Sequence, residues 1–284
     1  MTKVLLFGAT GNVGKKIAAE LTAQGYDITI VARSKEKAGE LAAITANFKI
    51  ADVTRPKQLH DICRGFEVIV SALGKSVSIN DKSKPSFHDI NFTANANILM
   101  DAKKNVVRKF VYVSALHSEK YTHLGYFNAH HSFSQKLKQS GINYSIIKPA
   151  AVYSAFADLI PMAREGKLVT IGKGDKKTNP IYEGDLAKIC VDSIKEYNAI
   201  VEAGGKHIYT RQQINDIIQQ AVNPALKIKN VPVGSIKFML PFIKIFNSNK
   251  YDKYAFFTEV TQHHTIAPML GEMKLEDYIK ARVR

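Results

Sequence analysis

The stretch Lys3-Val-Leu-Leu-Phe7-Gly8-Ala9-Thr10-Gly11-Asn12-Val13-Gly14 decides the fold. Its first five residues, apolar after Lys3, read as a short buried strand. A helix-period pattern runs over 13–24, with apolar Val13, Ile17, Ala18 and Leu21 on one face and Gly25 as its stop. Glycine is needed where a chain turns tightly with positive φ, where backbone must approach an anion, and where a helix packs closely on its strand. Such a turn aims the free N–H groups of the first helical turn at a phosphate. Gly8, Thr10, Gly11, Asn12, Val13 and Gly14 are therefore the expected cradle for the pyrophosphate of a dinucleotide. The first two glycines stand one residue further apart than in the common dinucleotide fingerprint.

Outward from this turn, strand-like and helix-like segments alternate. DITIVA (27–32), 48–51, EVIVSA (67–72), KFVYVS (109–114) and YSIIK (144–148) read as strands. Segments 56–63, 87–104 and 128–140 read as helices between them. This rhythm means crossover units, and near-continuous apolar strands mean a sheet buried on both faces. The expected fold is α/β, a doubly wound parallel sheet of the Rossmann type over 1–150. A mixed α/β substrate-side subdomain over 151–284 is expected to complete part of the sheet, with 178–194 and 212–222 helical or strand-to-helix.

The end of the second strand selects the cofactor. A carboxylate there holds the ribose 2′-hydroxyl of NAD, whereas a nearby Arg accommodates the 2′-phosphate of NADP. Here the strand runs into Arg33-Ser34-Lys35, with Lys37 beyond, and no acid precedes Glu36. Arg33, Ser34 and Lys37 are expected to favour NADP(H), with NAD(H) as the alternative; solvated charges around a helix start are the plainer reading.

Composition narrows the class. A chain of 284 residues with 45% hydrophobic and 23% charged residues can bury a core without staples. Cys63 and Cys190 are too few for a disulfide framework and read as core thiols of a reducing compartment. No apolar run approaches the ~20 residues of a membrane span, and the N-terminus lacks a signal-peptide layout. The expected location is cytoplasmic. The net charge of +15 favours acidic partners, but the lysines are dispersed, so a solvated basic surface is expected rather than a specific nucleic-acid footprint. The expected partner is a small-molecule substrate, and the expected state a monomer or homodimer. His130-His131 and His263-His264 are adjacent pairs that point apart on a helix and lack a carboxylate or Cys at ligand spacing, so no metal is expected.

On these residues the chain resembles the short-chain dehydrogenase/reductases, in their atypical, extended branch of nucleotide-sugar-epimerase-like and nitrogen-metabolite-regulator-like proteins. GATGNVG (8–14), Asp52-Val53, SALG (71–74), YVSA (112–115) and SGINYSIIKPAAVY (140–153) carry the resemblance. NPIYEGDLAKI (179–189) and GGKHIYTRQQINDII (204–218) extend it over most of the chain. It implies that Asp52 and Val53 flank the adenine, and that Ala72, Leu73 and Gly74 line the adenosine ribose and pyrophosphate side. It also implies that Pro149, Ala150, Ala151 and Val152 pass beside the nicotinamide. Val53 as plain core and Gly74 as a strand terminator are the alternatives.

The resembling family works with Ser, Tyr and a Lys four residues after the Tyr. That Lys lowers the Tyr pKa from its ordinary ~10. Ser114 and Tyr126 stand at the first two positions, but the residue one helical turn beyond Tyr126 is His130. Three readings follow: a modified catalytic set of Ser114, Tyr126 and His130; hydride transfer without the Tyr; or cofactor binding without chemistry, as a sensor or scaffold. Under the first, activity should rise as pH falls through the His130 pKa, ordinarily ~6.5. Segment 235–257 mixes apolar, aromatic and basic residues. It suits a substrate-side lid or subdomain core, or a surface lying on anionic lipid, and Pro241 is expected to break a single long helix there. In segment 263–280, Leu275, Tyr278 and Ile279 are expected to pack one helical face.

Overall fold

The computed structural model describes residues 1–283. In chain order the elements are β1 (Lys3–Phe7), α1 (Asn12–Ala23), β2 (Asp27–Ala32), α2 (Lys35–Gly39), β3 (Phe48–Ile50), β4 (Val68–Ser71), α3 (Asn95–Lys104), β5 (Lys109–Val113), α4 (Gly125–Lys138) and β6 (Asn143–Pro149). There follow α5 (Tyr153–Ala157), α6 (Ile160–Arg164), β7 (Val169–Ile171), β8 (Lys177–Thr178), α7 (Glu183–Asp192), β9 (Ala199–Ala203), β10 (Tyr209–Thr210), α8 (Arg211–Val222), β11 (Lys229–Val231), α9 (Val233–Phe246), α10 (Ser248–Val260) and α11 (Leu275–Val283).

Seven strands form the central sheet in the order β3-β2-β1-β4-β5-β6-β9. The pairings from β3 through to β6 are parallel. The first six strands thus have the 3-2-1-4-5-6 order of a Rossmann sheet, and the order reverses between β1 and β4. In open sheets of this order, ligands bind at such a reversal, beyond the carboxyl ends of the strands. The sheet is buried because its strands carry apolar residues on both faces. Leu5, Phe7, Ile69, Phe110, Tyr112 and Ile146 join one cluster with helix residues such as Ile98 and Phe133.

The chain divides into two compact units. One comprises 1–75, 85–148 and 183–201; the other comprises 76–84, 149–182 and 202–284. The second unit has its own core, in which Tyr153, Ile160, Ile214 and Ile218 meet Leu275, Tyr278 and Ile279 of α11. Thr210 and Gln213 form a reciprocal capping box that starts α8.

Three local expectations are corrected and one is refined. Segment 56–63 holds only a 3-10 turn, Pro56–Leu59. The Asp101 carboxylate accepts the N–H groups of Asp61 and Cys63, and Asp61 adopts φ 54°, which diverts the chain from a helix. The helix expected over 87–104 is present, but it is not uniformly α-helical: a widened π-helical stretch, His88–Ala94, leads into α3. Helix α4 begins at Gly125, which puts Tyr126 in its first turn. Pro241 does not break the 235–257 helix: it lies inside α9, and the break falls at Asn247. There φ −159° and ψ 98° end α9, while the Asn247 side chain accepts the Lys250 N–H to start α10. Pro241 removes the hydrogen bond to the Lys237 carbonyl, but both residues are exposed, so water replaces it.

Candidate cofactor and active site

The 8–14 turn is built by backbone contact. Gly8 has φ 77°, and a Cβ there would lie 2.7 Å from the Ala72 backbone. A Cβ on Gly14 would meet the Gly8 carbonyl oxygen at 2.0 Å. The Gly11 N–H donates to that same carbonyl at 3.1 Å. Gly11 is also the N-cap of α1, and it brings no side chain to the first helical turn, which holds no acidic residue. The amide dipoles of α1 therefore face out beyond β1 uncompensated, the electrostatics that attract a pyrophosphate.

Beyond β2, the three candidate 2′-phosphate residues separate. Arg33 is exposed. The Ser34 hydroxyl accepts the Lys37 N–H and caps α2. The Lys37 ammonium is 2.6 Å from the Glu40 carboxylate, which also binds Lys15. Arg33 is thus the cation of the three best placed to turn to a ligand. Asp52 sits after β3, where its carboxylate accepts from the Thr54 hydroxyl and N–H. Those bonds hold it below the ordinary carboxylate range, with smaller help from Arg55 and Arg33. Val53 is buried in the core cluster, and its carbonyl accepts from Asn97.

The loop carrying Ala72, Leu73 and Gly74 is pinned by two asparagines one turn apart. Asn95 donates to the Leu73 carbonyl at 3.3 Å. Asn91 accepts the Lys75 N–H at 2.7 Å through its side-chain oxygen. The Asn91 amide nitrogen then faces His130 Nε2 at 3.0 Å, and His130 Nδ1 lies 2.7 Å from the Tyr112 hydroxyl. Because the Asn91 oxygen is committed to Lys75, its nitrogen must donate, and Nε2 must accept. The imidazole proton is then on Nδ1 and donates to Tyr112, whose own proton is directed at the Asn91 carbonyl, 3.5 Å away. His130 is thereby fixed as one neutral tautomer in a closed network.

Burial pushes the His130 imidazole down to about 3 and the Tyr126 hydroxyl up to about 12. The two rings meet edge to face at 4.7 Å, and Phe87 packs on Tyr126 from another side. Ser114 is buried 3.3 Å from Ser134, whose hydroxyl donates to the His130 carbonyl. The structure thus brings Tyr126 and His130 together and ties Ser114 to the same helix. His130 carries no charge near neutral pH, so a rise in activity through its titration is no longer expected. Pro149 ends β6 and is buried; Ala150, Ala151 and Val152 follow half-buried, and Val152 bridges Ile181.

A stability consequence follows. Between the ordinary histidine value of ~6.5 and the folded value of about 3, the unfolded chain binds a proton that the folded chain refuses. Stability from this group is complete above the unfolded value and declines as pH falls, by ~1.4 kcal/mol per pH unit. Urea unfolding of wild type and His130→Gln across that window measures it; parallel pH slopes would contradict a buried neutral imidazole.

Asn91 and Asn95 were not among the residues singled out from sequence. The signal was present: two asparagines four apart in an otherwise helical, partly apolar segment, both fully buried in the fold. Cys63 and Cys190 are buried free thiols pushed up by desolvation. His264 Nδ1 accepts the Lys177 N–H and His263 bonds Glu259. Among the described residues, no cluster of three or more His, Cys, Asp or Glu can hold a metal, and no helix is long and apolar enough to cross a membrane.

A family model described as NAD(P)H-binding matches residues 8–197, which span the 8–14 turn, the 71–75 loop and α4. The divinyl chlorophyllide a 8-vinyl-reductase of Cucumis sativus is 27% identical over 84% of this chain, which spans 61% of that protein's length. The photosystem II assembly factor Ycf39 of Trieres chinensis is 21% identical over 89% of this chain and 80% of its own. The NADPH-dependent quinone oxidoreductase QOR2 of Escherichia coli, solved with NADPH, superposes with a TM-score of 0.72 at 19% identity, over 99% of this chain and 100% of that one. The glycine turn, the strand order and the extent of the match agree: the chain has a Rossmann fold and belongs to the NAD(P)H-binding family.

Proposed function

We propose that this chain is an NADPH-dependent reductase that delivers a hydride to a small carbonyl, quinone or related substrate. The electrostatic state of the first two turns of α4 carries the reading. With Tyr126 held up at about 12 and His130 down at about 3, neither is ionised at neutral pH. A neutral tyrosine cannot take a proton from an alcohol. It can give one to a carbonyl oxygen as hydride reaches the carbon, because the alkoxide that would otherwise form is far more basic than phenolate. The site is therefore biased towards reduction. When bound, NADPH would supply the hydride; Tyr126 donates the proton and recovers it from solvent, while Ser114 orients the substrate oxygen.

The cofactor residues in this reading are Gly8 through Gly14 for the pyrophosphate, Asp52 and Val53 beside the adenine, and Ala72–Gly74 along the ribose. Pro149, Ala150, Ala151 and Val152 run beside the nicotinamide. Arg33 meets the 2′-phosphate, because Ser34 and Lys37 are occupied in capping and pairing α2. Lys37 can join only by leaving Glu40.

The test is NADPH consumption with a panel of quinones, aldehydes, ketones and imines, beside binding titrations with NADPH and NADH. NADPH is expected to bind more tightly, and Arg33→Ala to remove most of that preference, by ~10-fold or more for a charge-assisted contact. Tyr126→Phe should lower kcat by ~10²-fold or more, and alcohol oxidation should be undetectable near neutral pH. Equal NADH binding would overturn the NADP assignment. Tight NADPH binding with no turnover of any acceptor would favour the second reading, a cofactor-binding sensor or scaffold. That reading draws on His130, which leaves uncharged the position where the resembling family has lysine, and on the relative named as an assembly factor.

A further inference from the structure

Helix α9 is the anomaly of the surface. Its sequence, VGSIKFMLPFIKIF, is the most apolar of any helix, yet none of its residues is buried. Val233, Ile236, Leu240 and Ile243, three and four apart, form its half-buried face, and α9 packs on α10. The opposite stripe consists of Phe238, Met239, Phe242, Ile245 and Phe246, with Phe238, Ile245 and Phe246 exposed to 76%, 78% and 86%. These positions fall at i, i+1, i+4, i+7 and i+8, one continuous face of a helix. A contiguous apolar stripe of this size on a monomer marks an interaction surface.

The charges around it say what it meets. Residues 217–251 contain Lys227, Lys229, Lys237, Lys244 and Lys250 and no Asp or Glu. All five lysines are exposed. Lys237 and Lys244, seven residues apart, line one edge of the apolar stripe; the Lys244 ammonium rests over the Tyr251 ring at 5.1 Å, within the field of Asp252, and reaches a headgroup by swinging off that ring. An apolar face bordered by cations suits a surface that is apolar within and anionic above. A second copy of this chain fits poorly, because each copy carries a formal charge of +15 and would set the same lysines against each other.

We infer that α9 docks this protein on an anionic lipid surface. Its 14 residues extend roughly 21 Å at 1.5 Å per residue. That is too short for the ~30 Å hydrocarbon core of a bilayer. The helix therefore lies in the interfacial plane, with the Phe238–Phe246 stripe among the acyl chains and the lysines at the phosphates. Pro241 falls between the stripe and the lysine-bearing edge of the helix, so the Lys237 carbonyl it leaves unbonded lies on the headgroup side. The docking is independent of the redox reading and would hold equally for a protein that only binds the cofactor.

The chain contains no tryptophan, so Phe246→Trp places a unique fluorophore at the most exposed aromatic position of α9. The full-length Phe246→Trp protein is titrated with vesicles of phosphatidylcholine alone and of phosphatidylcholine with phosphatidylglycerol. Wild type is followed by co-sedimentation. A blue shift and sedimentation with the anionic vesicles, reversed by salt and weak with phosphatidylcholine alone, are expected. At ~1 kcal/mol per cation near the surface, Lys237→Gln with Lys244→Gln should weaken partitioning roughly thirtyfold. Phe238→Ser with Phe242→Ser should weaken it at least ~10-fold through lost apolar burial, with NADPH affinity and melting temperature unchanged because both side chains are exposed. Absence of binding to anionic vesicles at low salt overturns the proposal. Binding that survives the Phe substitutions unchanged also overturns it, because another basic face would then be responsible. So does a concentration-dependent dimer abolished by the same substitutions in the absence of lipid binding.

Discussion

Gly14→Ala is expected to weaken NADPH binding by more than 100-fold and to lower stability by ~3 kcal/mol. The added methyl group would lie 2.0 Å from the Gly8 oxygen, 2.7 Å from its carbonyl carbon and 2.8 Å from the Ala9 Cα. All three are backbone atoms, so no side chain can swing aside. Helix α1 must lift from β1, and overpacking of this kind costs ~1–3 kcal/mol or more. The lift moves the amide groups that would hold the pyrophosphate, and contacts of fixed geometry are lost with it. Two controls separate this from the ordinary cost of replacing glycine. Gly25→Ala places a residue at positive φ, 78°, which Gly14 does not have, but its Cβ meets nothing within 4 Å. It should cost ~1–2 kcal/mol of stability and leave NADPH affinity intact. Gly11→Ala meets the Gly8 oxygen at 3.4 Å, ordinary contact, and should fall between. Calorimetric NADPH titration with a thermal melt of each variant decides it. A folded Gly14→Ala protein that binds NADPH as wild type does would mean that the 8–14 turn is not the nucleotide site.

The turn was legible because its information is local. A strand, three glycines and a helix start are contiguous in sequence, and the steric reasons for each glycine act across a few residues. The parallel sheet was legible for a related reason: an apolar run such as Lys3–Phe7 buries both faces wherever it pairs. What could not be read depends on distant partners. His130 is neutral because it is buried, and the groups that enclose it, Asn91 and Tyr112, arrive from segments 39 and 18 residues away. No local pattern distinguishes that buried imidazole from a solvated one able to carry charge. Segment 235–257 failed in the opposite sense. Its hydrophobicity fits a core or lid, and α9 does pack on α10, but a helix that is apolar on both sides gives no sign of which side will stay uncovered. Pro241 was over-read because a proline breaks a helix only where the lost hydrogen bond cannot be replaced, and on an exposed face water replaces it. The 56–63 segment was over-read because the Asp101 carboxylate, 38 residues beyond Cys63, takes the N–H groups that a longer helix would need.

The same distance-dependence governs the last prediction. Placing at position 130 the lysine that the resemblance to short-chain dehydrogenase/reductases would call for, by His130→Lys, is expected to damage the protein and not to activate it. To assist a neighbouring tyrosine, a lysine must keep its ammonium charged, and that needs solvation by polar groups. At position 130 the side chain is enclosed, with Asn91 on one side and Tyr112 on the other. An ammonium has no acceptor, so the Asn91 amide proton that now reaches Nε2 would lose its partner, at ~1–3 kcal/mol. Flipping Asn91 would only transfer the loss to the Lys75 N–H. A cation buried there without a carboxylate costs ~3–5 kcal/mol or forces the lysine to stay neutral. Either outcome loosens the 71–75 loop that Asn91 holds, so cofactor affinity should fall with stability. His130→Gln is the informative partner variant, since its amide can accept from Asn91 and donate to Tyr112; it should keep most of both. Urea unfolding and NADPH titration of the two variants measure the contrast. A His130→Lys protein as stable as wild type, with faster NADPH turnover, would place position 130 in contact with the reacting groups and return the histidine to the catalytic set.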